Sequence, residues 1–501
     1  MELLTTKYQD KISGVLSCYD RMIITGTIPR LCYSQGMTSY LYSQKIKIFD
    51  YPEFAKPFKE EIRTNAEQIA QDNDIEIEFV KKSHIRKEDL VKKVLDKRSY
   101  HPGLVHILSA MESCGSYKPW YNKRTGKAYL KGTQGKCLHY YFYFIDPYLG
   151  YGYIRVPTWS PFKLQVYLNG HNILANELDK NNLKYTMLDN AFDYIEDFEK
   201  AQEICDDIDV KKIHKRLDVL SKKYCPVISH FNQFYHWSLT QIEYATDIVF
   251  KKQKDLQSIY SELTKTAIHT VKPDNIATFL GHKVDPRYKG EIGNNYNIRI
   301  EGSRIKHSMG KNSIKMYDKF SKILRIETTS NDVSFFKHYR EVEHRDGTKS
   351  MKNAPLKKNI YSLSILSLLL EASNKRYLEF ISVFDNKEAG RKRLDEVTKS
   401  KKQNNRNYKG FNLFAKKDLD LLLVALRGEY NIYGFRNKDI RMRIPEFNTG
   451  KISRLLKRLK VFGLIKRAGK TYKYYLTKLG KELIITAEKL KETVLIPALN
   501  Y

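Results

Sequence analysis

Thr449–Gly480 reads TGKISRLLKRLKVFGLIKRAGKTYKYYLTKLG, and this stretch decides more about the fold than any other part of the chain. Ile452, Leu455, Leu456 and Leu459 recur at helical spacing and form one apolar stripe, while Lys451, Arg454, Lys457, Arg458 and Lys460 occupy the remaining faces. Thr449 is the expected cap of this helix, Lys451–Phe462, and Gly463 stands where a helix commonly closes in a left-handed residue. Leu464–Arg467 and Thr471–Leu476 then read as two short strands joined at Ala468–Gly469, with Thr477 capping a final helix. Upstream, Lys416–Leu426 is an apolar-striped helix, and Asn437 is placed to cap a short one running to Ile444.

Three helices, a β-hairpin and a closing helix are the order of a winged helix-turn-helix. The segment GLIKR…G…YYLT…G resembles the winged-helix domains of MarR-type bacterial and archaeal regulators, over residues 411–485 of the 501. Such domains also occur in transposases, replication initiators and RNA-binding proteins. The resemblance implies a helix seated in a major groove and a hairpin reaching the backbone beside it. The expected contacts are Lys451, Arg454, Lys457, Arg458, Arg467, Lys470 and Lys473. From Gly434 to Tyr475 there are 13 Lys/Arg and two acids, Asp439 and Glu446, so this stretch carries +11. A winged helix used for protein contact is the alternative.

The charge extends along the whole chain: 88 Lys/Arg against 57 Asp/Glu give +31, which points to an anionic partner, nucleic acid being the commonest polyanion. Cys18, Cys32, Cys114, Cys137, Cys205 and Cys225 are scattered without a CxxC pair, against a disulfide framework or a four-thiolate zinc site. The start, MELLTTKYQDK, lacks a basic-then-apolar leader, and no run approaches the roughly 20 apolar residues of a membrane span. A soluble, cytoplasmic protein is expected. No Walker A loop and no GxGxxG is present, which argues against an ATP-driven motor or a dinucleotide enzyme.

The rest of the chain predicts an α+β multidomain protein with mixed N-terminal and central sheets. The expected divisions are an α/β domain over 1–200, a helical and β domain over 201–385 as the possible nucleic-acid-handling core, a basic linker over 386–410, and the winged helix over 411–501. Lys11–Pro29 reads as a strand pair interrupted at Cys18-Tyr19-Asp20-Arg21, and His139–Ile145 as nearly continuous strand sequence. Thr240–Thr264 has apolar residues at helical spacing.

Chemistry is suggested most by Arg299–Arg345. Two predicted strands, SIKMYDK (313–319) and ILRIETT (323–329), place Lys315 and Tyr317 on one face and Arg325 with Glu327 on another, so that pairing would bring them together. Arg304 and His307 lie just upstream as candidate nucleic-acid contacts. Carboxylates holding a divalent cation such as Mg²⁺, cations neutralising a phosphate and a tyrosine nucleophile are the parts of phosphoryl-transfer chemistry. The Tyr-Asp-Lys strand followed by Arg-Ile-Glu resembles segments of plasmid and phage replication-initiation nickases, without their histidine pair. Asp20 stands alone inside a β-prone run, as the first acid does in RNase H-type sheets, with Asp146 and Glu301 or Glu327 as further candidates. An Asp20–Arg21 ion pair is the structural alternative. Glu243 and Asp247, four apart, call for a cation between them, a metal or an arginine.

The expected function is a nucleic-acid-binding protein of mobile-element or defence type, a divalent-metal-dependent nuclease, nickase or transposase-like enzyme. Asp20 and Glu327 would hold the metal; Lys315 and Arg325 would stabilise the phosphate, with Tyr317 the nucleophile. The alternatives are a non-catalytic RNA- or DNA-binding scaffold and a winged-helix transcriptional regulator. A homodimer is compatible with each.

Overall fold

The computed structural model describes residues 3–496 apart from 82–83, 99–100, 285–287, 300–301, 383–394, 414 and 470. These residues form a mixed α/β architecture with more than one compact unit. The first elements are α1 (Leu4–Lys7), β1 (Ile12–Thr27), α2 (Ser34–Ser43), α3 (Tyr51–Asp72), β2 (Ile77–Phe79) and α4 (Lys87–Leu95). Four strands follow, β3 (Gly103–Asn122), β4 (Lys127–Asp146), β5 (Gly150–Pro157) and β6 (Leu164–Asn169). Next come α5 (Gly170–Lys180), β7 (Tyr185–Leu188), β8 (Ala191–Ile195), α6 (Phe198–Asp206) and α7 (Val210–Tyr224). The middle of the chain gives β9 (His236–Phe250), α8 (Gln253–Thr270), α9 (Pro273–Phe279), β10 (Ile292–Arg299), β11 (Gly302–Met309), β12 (Asn312–Lys319) and β13 (Ile323–Ser330). After a hairpin of β14 (Lys337–Glu343) and β15 (Lys349–Pro355) come α10 (Leu363–Ile381) and a second hairpin, β16 (Lys401–Gln403) and β17 (Arg406–Tyr408). The C-terminal elements are α11 (Lys416–Leu426), α12 (Gly428–Tyr433), α13 (Asn437–Arg441), α14 (Thr449–Val461), β18 (Ile465–Arg467), β19 (Tyr474–Leu476) and α15 (Lys478–Leu490).

Two expectations are corrected. The strand pair predicted over Lys11–Pro29 is one 16-residue strand, β1. Cys18, Tyr19 and Asp20 are all buried inside it, and none adopts the positive φ of a hairpin turn. The helix predicted from Thr240 is strand until Phe250, and helix begins only at Gln253. Four-residue spacing of like side chains suits a strand face as well as a helix face, and β-branched Thr240, Ile242, Thr246, Ile248 and Val249 decide for the strand. In the basic stretch over 386–410, residues 386–394 lie outside the described residues; the remainder carries the β16–β17 hairpin.

One compact unit comprises Ser17–Tyr244 and Ser330–Leu368. Its strands run in the order β9-β1-β6-β5-β4-β3-β2, antiparallel from β1 to β3 through β6, β5 and β4, with β2 added parallel to β3. The register sets Tyr143 opposite Tyr153 and Tyr153 opposite Tyr167, so their rings form a row across one face. Helix α4 covers part of this face, with Val91 buried against Leu108, Tyr141 and Tyr143. Every residue of the aromatic run His139–Ile145 is buried, so both faces of this part of β4 are covered.

The other unit comprises Met1–Leu16, Ala245–Thr329 and Leu369–Tyr501. Its strands run β10-β11-β12-β13-β9-β1, with β10, β11 and β12 antiparallel. The C-terminal elements share a core in which Leu421, Leu422, Phe435, Ile440, Ile452 and Leu459 are fully buried. They dock on α9 and α8: Arg427 pairs with Asp274 at 2.8 Å, and Lys272 with Glu488 at 2.5 Å. Gly428 is required at this contact, since a Cβ there would lie 1.3 Å from Thr278 Oγ1. Among the described residues no helix is long and apolar enough to cross a membrane.

Candidate functional site

Strands β12 and β13 assemble the first part of the site. On β12, Ile314 and Met316 face the core, so the period of two turns Lys315 and Tyr317 to the opposite side. There Lys315 Nζ lies 2.5 Å from Glu327 Oε1, and the Tyr317 hydroxyl donates to Glu327 Oε2 at 2.7 Å. Thr329 Oγ1 adds a longer donation to Oε1 at 3.3 Å. Glu327 is 2% exposed, so this carboxylate is withdrawn from water and held by side-chain donors on both oxygens. The register also pairs Arg304 with Tyr317 and Lys306 with Lys315, extending a basic face across β11.

The same alternation corrects the reading of His307. It follows Ile305 by two and pairs with Ile314, so it points into the core rather than toward a ligand. Its Nδ1 meets Asn294 Oδ1 at 2.7 Å, its Nε2 meets the Tyr377 hydroxyl at 3.1 Å, and burial lowers its pKa to about 3. Arg325, expected to face a phosphate, is fully buried and grips Asp247 through Nε at 2.6 Å and Nη2 at 2.7 Å. That pair supplies the arginine that the Glu243–Asp247 spacing called for.

In the other unit Asp20 occupies the middle of β1 and is 5% exposed. Its Oδ1 accepts from Asn190 Nδ2 at 2.6 Å and Asn169 Nδ2 at 3.2 Å, and lies 3.5 Å from His171 Nδ1. Asn169 also caps α5 by accepting from the His171 N–H at 2.8 Å. Gly170 allows the approach, because a Cβ there would stand 2.2 Å from the Tyr19 carbonyl oxygen. Arg21 lies on the opposite strand face with its guanidinium 5.5 Å from the Tyr167 ring centroid, so the Asp20–Arg21 pair is not what holds Asp20. Asp146 is occupied elsewhere, accepting from the N–H groups of Tyr148 and Leu149 and pairing with Arg216. Glu301 lies outside the described residues.

Asp20 and Glu243 belong to one unit and Glu327 to the other. Each is a hard oxygen donor of the kind that binds Mg²⁺ or Mn²⁺. Of the residues now seen around the acids, Asn169, His171 and Asn190 were not anticipated. Only Asn169 had a sequence signal, an Asn directly before a helix.

Among the expected nucleic-acid contacts, α14 carries Lys451, Arg454, Lys457 and Arg458, with Arg454 and Lys457 exposed. Asn448, rather than Thr449, caps this helix by accepting from the Lys451 N–H at 2.8 Å. Arg458 turns inward: it pairs with Asp418 at 2.9 Å, donates to the Lys409 and Gly410 carbonyls and covers Phe411 at 3.9 Å. Arg467 on β18 is exposed and reaches the Thr471 carbonyl and the Tyr472 ring, Lys473 is half-buried, and Lys470 lies outside the described residues. Thr477 caps α15 as expected, accepting from Gly480 N–H at 3.0 Å. No family model, no curated protein and no solved structure matches this chain.

Proposed function

We propose that the chain is a nucleic-acid-processing enzyme that cuts a phosphodiester with the help of a divalent cation and uses Tyr317 as the nucleophile. The observation that carries this reading is Glu327, a buried carboxylate that accepts from the Tyr317 hydroxyl at 2.7 Å and from Lys315 Nζ at 2.5 Å. A divalent cation held with the help of the Glu327 carboxylate would act as a Lewis acid on a non-bridging phosphate oxygen. The Tyr317 oxygen would then form a bond to phosphorus as its proton passes to Glu327 Oε2, and the bond from phosphorus to the sugar oxygen would break, that oxygen leaving as a hydroxyl with a proton taken from water. Lys315 balances the charge gathering at the phosphate. Arg325 acts at one remove, by fixing Asp247 and with it the register of β13 against β9. The C-terminal elements support a winged helix-turn-helix that locates the substrate, with α14 in the groove and the β18–β19 hairpin as the wing.

A second reading is favoured by one distance. Lys315 Nζ at 2.5 Å already supplies Glu327 with a positive charge, as in a basic sheet face that binds backbone phosphate without cutting it. The chain would then be a non-catalytic RNA- or DNA-binding scaffold or a winged-helix regulator. The two readings separate when the full chain is incubated with supercoiled and single-stranded DNA in Mg²⁺ or Mn²⁺ and resolved under denaturing conditions. The enzyme should leave nicked DNA and a protein–DNA adduct that EDTA prevents and Tyr317→Phe abolishes. Retained binding without either product, in wild type as in Tyr317→Phe, would establish the scaffold.

A further inference from the structure

A cavity of about 590 Å³ opens where the C-terminal elements meet α9 and α10, in a part of the chain that the proposed reaction does not use. Its charged lining is Lys375, Arg376 and Glu379 from α10 with Lys478 and Lys481 from α15: four cations and one acid. Among the described residues none of the three lysine ammonium groups has an ion-pair or hydrogen-bond partner. Arg376 is placed differently, its guanidinium donating to the carbonyls of Thr278 and Phe279 at 2.8–3.0 Å, which closes the end of α9 and fixes that wall. Lys481 is half-buried, and burial holds its ammonium below the usual lysine range. Glu379 is the one acid that acts on it, against four cations in the lining, so an added anion would offset the cost of its withdrawal from water.

The remaining wall is apolar. Phe279 and Phe380 stand on one side, with Leu426, Leu476 and Ile485 on the other. Water solvates the exposed Lys375 and Lys478 but leaves the half-buried Lys481 and this apolar surface poorly matched. A ligand with a charged head and an apolar body satisfies both, and the volume is ordinary for a small-molecule site. Lysines act as compact point charges and suit a phosphate dianion.

We propose that this cavity is a binding site for a small organic phosphate, a phosphate head on Lys375, Lys478 and Lys481 and an apolar body between Phe279, Phe380 and Leu476. Because its walls come from α9 and α10 on one side and from α11, β19 and α15 on the other, occupancy would fasten the C-terminal elements to the helices beneath them. The site is independent of the cutting reaction, and its test reads binding, not cleavage.

Calorimetric titration of the full chain with adenosine 5′-monophosphate, hexyl phosphate and inorganic phosphate tests the proposal. At least one of the two organic phosphates should bind about tenfold or more tightly than inorganic phosphate, and should raise the melting temperature. Preference for the monophosphate identifies an aromatic body, and preference for hexyl phosphate an aliphatic one. Lys481→Met should weaken that binding about tenfold or more, since a charge-assisted contact is removed, whereas Glu379→Gln should tighten it. The exposed Lys478→Ser provides the same loss should Lys481→Met fail to fold. Equal binding of all three probes, no binding, or affinity unchanged in both lysine variants would overturn the site.

Discussion

The buried histidine at position 307 shows how one residue's surroundings set its chemistry. Read from sequence, a histidine beside Arg304 and Lys306 belongs to a phosphate-binding face. The two-residue period of β11 separates them, leaving the arginine and lysine on one side and the ring in the core between Asn294 and Tyr377. Its pKa falls from 6.5 to about 3 because burial disfavours the charged ring. The folded state therefore stays unprotonated while the unfolded chain takes up a proton below pH 6.5. Stability from this group is complete above 6.5 and declines as pH falls toward 3, by up to about 1.4 kcal/mol per pH unit. His139, lowered to about 4 by burial and by Arg155, acts in the same direction. His307→Gln keeps a polar group near Asn294 and Tyr377 but does not titrate. Its melting temperature should be lower than wild type at pH 7 and should fall less steeply between pH 6.5 and 4.5. Parallel curves for the two proteins would show that His307 does not carry this dependence.

At the scale of elements, legibility followed how many constraints a segment satisfies at once. The α14–β18–β19–α15 order was readable because an apolar stripe, a glycine after the helix and a capping threonine coincide over residues 449–480. The pairing of Lys315, Tyr317 and Glu327 was readable because strand alternation fixes faces within a few residues. Strand β9 was not: Glu243 and Asp247 fall on one face of a helix and of a strand alike, and only neighbours distant in sequence, Arg325 above all, distinguish the two. The amides around Asp20 were equally hidden, since Asn190 comes from a turn 170 positions away. Within α14 the sequence likewise could not separate Arg458 from its neighbours. The structure ties Arg458 to Asp418, Lys409 and Gly410, leaving Arg454 and Lys457 exposed. If α14 contacts a duplex, Arg454→Ala and Lys457→Ala should each weaken binding and lower the salt slope by about one. Arg458→Ala should instead lower the melting temperature by removing a partly buried pair. Anisotropy titrations at several salt concentrations, beside melting curves, check the division, and an unchanged salt slope in both surface variants would show that α14 makes no duplex contact.

Across the whole molecule the governing quantity is the charge of +31, of which +11 falls between Gly434 and Tyr475. Such an excess repels itself, and at low ionic strength the compact state bears that repulsion with little screening, the Debye length being about 30 Å at 0.01 M and about 8 Å at 0.15 M. The acids do little to relieve it locally. Glu327, Asp247 and Asp418 are each already engaged with one lysine or arginine, and Arg454 and Lys457 remain exposed on α14. Added salt should therefore raise the melting temperature of the full chain by a few degrees between about 0.02 and 0.2 M. A polyanion distinguishes general screening from a surface built to receive phosphates. Heparin adds little bulk ionic strength but binds wherever cations are clustered on the native surface, and so stabilises by mass action. At about 0.05 M salt, heparin should lift the melting temperature well beyond the effect of salt alone, and Arg454→Ala with Lys457→Ala should reduce that extra rise. A heparin response no larger than that of equivalent salt would mean that the cations are dispersed, acting to solvate the chain rather than to hold a nucleic-acid backbone.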